Sequence, residues 1–239
     1  MNMSNSCWLF LLILFITMFI VVKRRKLTPV AAITAALFAC AIFLGAGFAG
    51  IFMIGLFFLL GTLSTSFKIN TKEKLGAAEI DKGRRTAGQV IANGGVAAIA
   101  GVMASLFTRQ KELFVLMMAG ALSAAMADTL SSELGTLYGK QFYNILNFKK
   151  DSRGENGVVS LEGTLIGVAG STIMATVFSI GYGWDERFFW ILIAGTIGNY
   201  TDSFLGATLE RNQILKNDAV NFINTLTGAF TSYFLFKFS

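Results

Sequence analysis

The sequence predicts an all-α fold: a polytopic bundle of about seven to eight transmembrane helices with a polar site at the cytoplasmic helix ends. Three observations carry that reading. Hydrophobic residues make up 54% of the 239 and charged residues 14%, with a mean hydropathy of +0.62, the balance of a membrane protein rather than a soluble domain. The apolar residues form continuous runs close to the roughly 20 residues a helix needs to cross hydrocarbon. These runs lack the two-residue alternation of membrane barrels, so only helices satisfy their backbone in lipid. Finally, the basic residues crowd the loops of one side.

Taken in order, the first run, 7–22, has the length of a signal-peptide core, but its basic residues, Lys23 to Lys26, follow it. No small-residue cleavage signal comes after, so it is expected to remain as a helix. Runs 29–45 and 47–63 are nearly fused and can form one hairpin. Further runs lie at 89–107, 113–130, 161–181, 188–205 and 220–236. Spans and short loops use nearly the whole chain. A single integral membrane domain over 1–239 is expected, with 1–26 as first span and basic flank and 27–239 as the bundle.

Charge placement orients these spans. With the N-terminus outside, 16 of the 20 basic residues fall in loops on one side, leaving Arg109, Lys111, Arg187 and Lys237 on the other. The rich side is cytoplasmic by the positive-inside rule, in a bacterial-type cytoplasmic membrane. The net charge of +6 then reflects topology and attraction to anionic headgroups, and no nucleic-acid partner is called for. Lys68, Lys72 and Lys74 read as topology markers, as do Lys149, Lys150 and Arg153. Trp184, Trp190 and Tyr182 read as an interfacial belt on the outer side.

Polar residues gather on the basic side. Asp128 closes the run Leu113 to Ala127 and is followed by Thr129-Leu130-Ser131-Ser132-Glu133; Asp202 closes Phe188 to Ile197 within Gly198-Asn199-Tyr200-Thr201-Asp202-Ser203. A carboxylate at the mouth of a membrane helix is costly unless it binds something. Arg85, Gln89 and Asn93 share one helical face, as do Asn199, Asp202, Ser203 and Gly206, and Asn217, Asn221 and Asn224. Asn and Gln also glue membrane helices together. Several stripes entering from one side, however, indicate a site.

The inventory limits the chemistry. Without histidine, Ser-His-Asp hydrolysis, His-based proton shuttling and His-ligated zinc are excluded. Cys7 and Cys40 lie far apart in apolar runs and read as packing residues. Gly135 to Lys140 is one residue short of a phosphate loop and lacks the following Ser or Thr. Carboxylates, amides, Arg, Lys and glycine turns remain, a set suited to magnesium and phosphate.

Four motifs in order, Arg84-Arg85-Thr86-Ala87-Gly88-Gln89-Val90-Ile91-Ala92-Asn93-Gly94-Gly95, Ala127 to Gly135, Gly154 to Ser160 with Gly163, and Gly198 to Gly206, resemble the integral membrane family containing animal transmembrane protein 19 and plant phytyl-phosphate kinase. The resemblance covers roughly residues 20 to 238. Its plant branch implies phosphoryl transfer from a nucleotide such as CTP to an isoprenyl monophosphate, giving the diphosphate. Such transfer depends on positioning and charge neutralisation, and an anionic acceptor needs no general base.

On that reaction Asp128 and Asp202 are expected to ligate Mg2+, with Glu133 and Asp218 as further metal candidates. Arg84, Arg85 and Lys82 would hold phosphates. Gln89, Asn93, Asn156, Gly157, Ser160, Asn199, Ser203 and Asn221 would contact the nucleotide or the acceptor. The tail would lie along a groove at Gly94-Gly95 or Gly167 to Gly170, and Gly154 and Gly157 would let the loop backbone approach a phosphate. Two other readings stay open: a transporter or flippase for a small anionic or lipid-phosphate substrate, and a catalytically silent scaffold.

Overall fold

Written as one helix, the 38 residues Pro29–Ser66 would form a rod roughly 57 Å long, nearly twice the ~30 Å of bilayer hydrocarbon. In the computed structural model, which describes residues 3–74 and 83–239, Gly47 bends this segment with φ 62° and ψ −149°, a region open to glycine alone. The arms 29–46 and 48–66 lie side by side. Lys26 Nζ donates to Ser66 Oγ at 2.8 Å, joining the two ends of the segment. Near the bend, a Cβ on Gly50 would stand 2.7 Å from Ile42 Cγ2. The nearly fused apolar runs therefore form a hairpin.

The remaining elements follow in order. Helix α1 is Met3–Lys23, the hairpin is α2, and a short α3 spans Ile69–Lys74. Then come α4 (Ala87–Leu106), α5 (Lys111–Tyr138), α6 (Leu161–Tyr182), α7 (Arg187–Leu205) and α8 (Asn217–Phe238). Five of the described helices are long and apolar enough to cross a membrane: α1, α2, α4, α5 with its leading turn, and α6. Helices α7 and α8, of 19 and 22 residues, run between the same two ends of the bundle, their apolarity diluted by polar stripes. Two features lie outside the all-helical expectation: α3, and a two-stranded ribbon pairing β1 (Tyr143–Asn144) with β2 (Val158–Val159).

Local chemistry starts and stops these helices. Thr28 caps α2 by accepting from Ala31 N at 3.2 Å, with Pro29 in the first helical position. Thr86 and Gln89 form a reciprocal capping box at α4. Ser160 caps α6, accepting from Gly163 N at 3.0 Å. Helix α7 runs into a π-helical turn, Gly206–Glu210, of the kind common at functional sites.

Helix α5 is the axis. Every residue from Met118 to Ala127 is buried, as an apolar-all-round helix should be at the centre of a bundle, and it packs against α2, α4, α6, α7 and α8. Glycines allow the close approach: a Cβ on Gly120 would sit 2.5 Å from Gly228 O of α8, and one on Gly101 2.7 Å from Ala41 O of α2. Around this axis Met53, Leu116, Leu122, Met126, Met174, Phe178 and Ile191 make the main core.

Candidate functional site

Helix α5 does not stop at Asp128; it continues for ten residues to Tyr138. Asp128 is therefore held inside a rigid helix, facing α7, rather than at a helix end. Its carboxyl and that of Asp202 lie at hydrogen-bonding range of one another. Asp202 Oδ2 is buried without a hydrogen-bond partner among the described residues. Two facing carboxylates in a low dielectric cannot both stay ionised without a proton or cation between them. Glu210, on the π turn, acts electrostatically on both. Burial holds the Glu210 carboxyl above its ordinary range, opposed by a hydrogen bond with Asn156.

These acids border a polar cavity of about 280 Å3 at the basic end of the bundle. Helix α4 contributes Gln89 and Asn93, with Arg85 just before it; α5 contributes Asp128, Thr129, Ser131, Ser132, Glu133 and Gly135, and α7 Asn199, Asp202 and Ser203. Asn217 and Asn221 enter from α8, while the backbone from Gly154 to Ser160 and Glu210 close the top. Asn93 donates from Nδ2 to Gln89 O at 3.0 Å, leaving its Oδ1 buried and without a donor among the described residues. Asn224 is fully buried beside the Asp202 carboxyl, and neither of its side-chain polar atoms makes a well-formed hydrogen bond among the described residues. Such unmet groups are expensive unless a ligand, ion or water satisfies them.

Not every residue singled out by sequence lies here. Lys82 falls outside the described residues. Arg84 is exposed and does not line the cavity. Glu133 lines it but is engaged by the Lys72 ammonium, 1% exposed, which also donates to Ser64 O at 2.7 Å. Lys72 is thus a buried structural cation and not a topology marker. Asp218 sits against Gly88 at the start of α4 and does not line the cavity. Gln89 spends its side-chain oxygen accepting from Thr86 N at 2.9 Å. The Ser160 hydroxyl caps α6, and Ser203 Oγ donates to Asn199 O at 3.2 Å. Gly157, with φ 75°, backs onto Ala207 of the π turn, so its close approach is to the chain itself. Gly167 and Gly170 are filled by Asn199, Leu130 and Met126, leaving no groove there. Glu210, not among the residues singled out by sequence, lines the cavity and continues the Asn199–Gly206 stripe by one more turn.

Among the described residues, no three acidic or thiol side chains converge on a common metal point. The four-carboxylate set therefore reduces to Asp128 and Asp202. That pair still fits magnesium, which keeps several waters and is commonly held by one or two carboxylates plus substrate phosphates. The orphaned Asp202 Oδ2 is the matching hard-oxygen donor.

A second cavity, about 560 Å3 and almost wholly apolar, lies between α1, both arms of α2 and the start of α4. Arg85 and Asn93 line both cavities. The Arg85 guanidinium rests against Gly61, 5.1 Å from the Phe57 ring centre and 5.9 Å from that of Phe58. Of the grooves expected from sequence, the one at Gly94 borders this space.

The family model described as integral membrane protein DUF92 matches residues 12–229. Protein VTE6, chloroplastic, of Arabidopsis thaliana is 34% identical over 199 residues, covering 80% of this chain and 60% of that protein. The chain thus spans less than two thirds of that relative's length. An uncharacterized membrane protein of Methanocaldococcus jannaschii is 31% identical over 76% of this chain and 74% of its own. Another, from Synechocystis, is 29% identical over 87% of this chain and 82% of its own. No solved structure matches.

Proposed function

The chain belongs to the DUF92 integral membrane family, and from that premise we propose that it is a membrane-embedded, magnesium-dependent phosphotransferase. Its donor is a nucleoside triphosphate such as CTP, and its acceptor an isoprenyl, phytyl-like monophosphate. One observation carries this reading: the polar cavity holding Asp128 and Asp202 and the apolar cavity beside α1 share Arg85 and Asn93. An amphiphile with an anionic head can occupy both at once, its phosphate at the acidic pair and its tail among hydrocarbon.

In the reaction, an oxygen of the acceptor phosphate attacks the γ-phosphorus of the nucleotide. The bond from that phosphorus to the β,γ-bridging oxygen breaks, releasing the nucleoside diphosphate. The acceptor is already anionic, so no side chain must remove a proton. Asp128 and Asp202 would hold magnesium, which supplies charge neutralisation on the phosphates when bound. Arg85 fixes the acceptor phosphate. Asn93, Asn199 and Asn221 offer amide donors and acceptors to phosphate or ribose oxygens, with Asn156 and Glu210 closing the rim. Transport is less well supported, because a transporter site belongs near the midplane at broken helices. Here the polar groups occupy one end, above the sealed stretch Met118 to Ala127.

The test uses purified protein in detergent with magnesium, a γ-labelled nucleotide and isoprenyl monophosphates. Label should enter a lipid diphosphate, stop on chelation with EDTA, and fall about 100-fold or more in Asp128→Asn and Asp202→Asn. Both variants remove like-charge repulsion without changing shape, so their thermal midpoints should equal or exceed that of the parent. Labelling that survives EDTA, or persists in both variants, would sink the reading.

A further inference from the structure

Helix α1 is nearly all lipid-exposed, yet one face of it is not. Phe10, Leu14, Met18 and Val21 recur at helical spacing and line the apolar cavity; Phe10 is only 4% exposed and Val21 7%. Along the facing arm of α2, the cavity runs from Phe58, beneath Arg85, down to Phe48 near the bend. Ten helical residues make that depth about 15 Å. An aromatic group closes the bottom: the Phe10 and Phe43 rings stack at 4.1 Å, and Phe48 meets Phe43 edge-on at 5.3 Å. The groove is therefore basic at its mouth, apolar along its walls, open along one side at Phe52 and Leu59, and crossed at its far end by aromatic rings.

Resting on the acceptor assigned above, we infer that α1 and the α2 hairpin form a measuring compartment for a single isoprenoid chain, with Phe10 and Phe48 as the residues that set its length limit. If a methylene takes about the ~30 Å3 share of a water in liquid, 560 Å3 holds on the order of 20 carbons. A longer chain meets the stacked rings. A two-tailed phospholipid carries roughly twice the hydrocarbon the space accepts. The charge of Arg85 selects an anionic head, and the aromatic floor makes length, not hydrophobicity alone, the discriminating property. Helix α1 thereby acts in substrate selection as well as in anchoring.

Native mass spectrometry of the full-length protein in detergent, with isoprenyl monophosphates from geranyl to undecaprenyl and with phosphatidic acid, reads this directly. Retention should rise with length to geranylgeranyl and drop about tenfold or more for longer chains and for phosphatidic acid. Phe48→Ala should restore binding of the longer chains. Phe48→Trp, which keeps the floor aromatic, should move the optimum toward farnesyl. Arg85→Gln should weaken all lengths alike. Unchanged length profiles in both folded Phe48 variants would overturn the inference, as would equal retention of phosphatidic acid, or failure of every monophosphate to bind. Length-selective binding without phosphoryl transfer would uphold the compartment and refute the phosphotransferase. Transfer to every length equally would do the reverse.

Discussion

A lysine ammonium at 1% exposure keeps its charge only when its three hydrogens find acceptors. Lys72 has Ser64 O at 2.7 Å, Thr65 O at 3.4 Å and the Glu133 carboxylate. The first two are carbonyls from the last turn of α2, where the helix end leaves acceptor capacity free although Ser64 O also takes Phe67 N at 3.2 Å, so one cation ties α2 and α3 to α5 beside the polar cavity. Removing one member strands the other's charge. Lys72→Met should cost about 3–5 kcal/mol, whereas Lys72→Met combined with Glu133→Leu should recover most of it. Thermal unfolding of the two variants in detergent checks this; Lys72→Met melting like the parent would contradict it. Neither partner announces itself in sequence, since a buried lysine and a loop lysine look alike until the chain folds.

At the scale of elements, the roof of the polar cavity is held by contacts between the 139–160 segment and the turn after α7. Arg211 donates to Asp151 at 2.7 and 3.2 Å and lies 3.9 Å from Glu155. Gly157 packs on Ala207. Hydrogen bonds from Arg211 first, then from Ser152 N and Asn144, hold the Asp151 carboxyl well below the usual carboxylate range. A depressed acid contributes stability above its unfolded value of about 3.9, and that contribution is lost as pH falls through the lower folded value. The roof should therefore be insensitive to pH near neutrality and loosen only in strong acid. Asp151→Asn should loosen it at neutral pH, seen as amide exchange several-fold faster across 139–160 than in the parent. Equal exchange rates would show that the pair does not hold the roof.

Across the whole molecule, polar and basic groups sit at one end and the hairpin bend at Gly47 at the other. Tyr182 reaches Ala46 O at 2.9 Å, and Arg187 pairs with Glu112, at that far end. Among the described residues, eight passages between the two ends put Met3 and Phe238 at the end opposite the cavity. In sealed inside-out vesicles of a Cys7→Ser, Cys40→Ser background, an impermeant maleimide should label Lys150→Cys and not Glu186→Cys. The opposite pattern would invert the topology expected from charge.

The sequence by itself determined the membrane class, the helical fold, the order of spans and the end where polar chemistry collects. Hydropathy and charge are properties of consecutive residues, and the bilayer sorts them without reference to packing. It also set Asp128 on the basic side of the bundle, and Asp202, Arg85, Asn93, Asn199 and Asn221 on faces that turn out to meet there. Only the tertiary structure decided that Glu133 belongs to Lys72, that Asp218 stands apart at Gly88, that Glu210 joins the acidic pair, and that Gly167 is packed shut. Those outcomes depend on how each helix is rotated about its axis. The rotation is set by close crossings such as Gly120 on Gly228 and Gly101 on Ala41, between residues far apart along the chain.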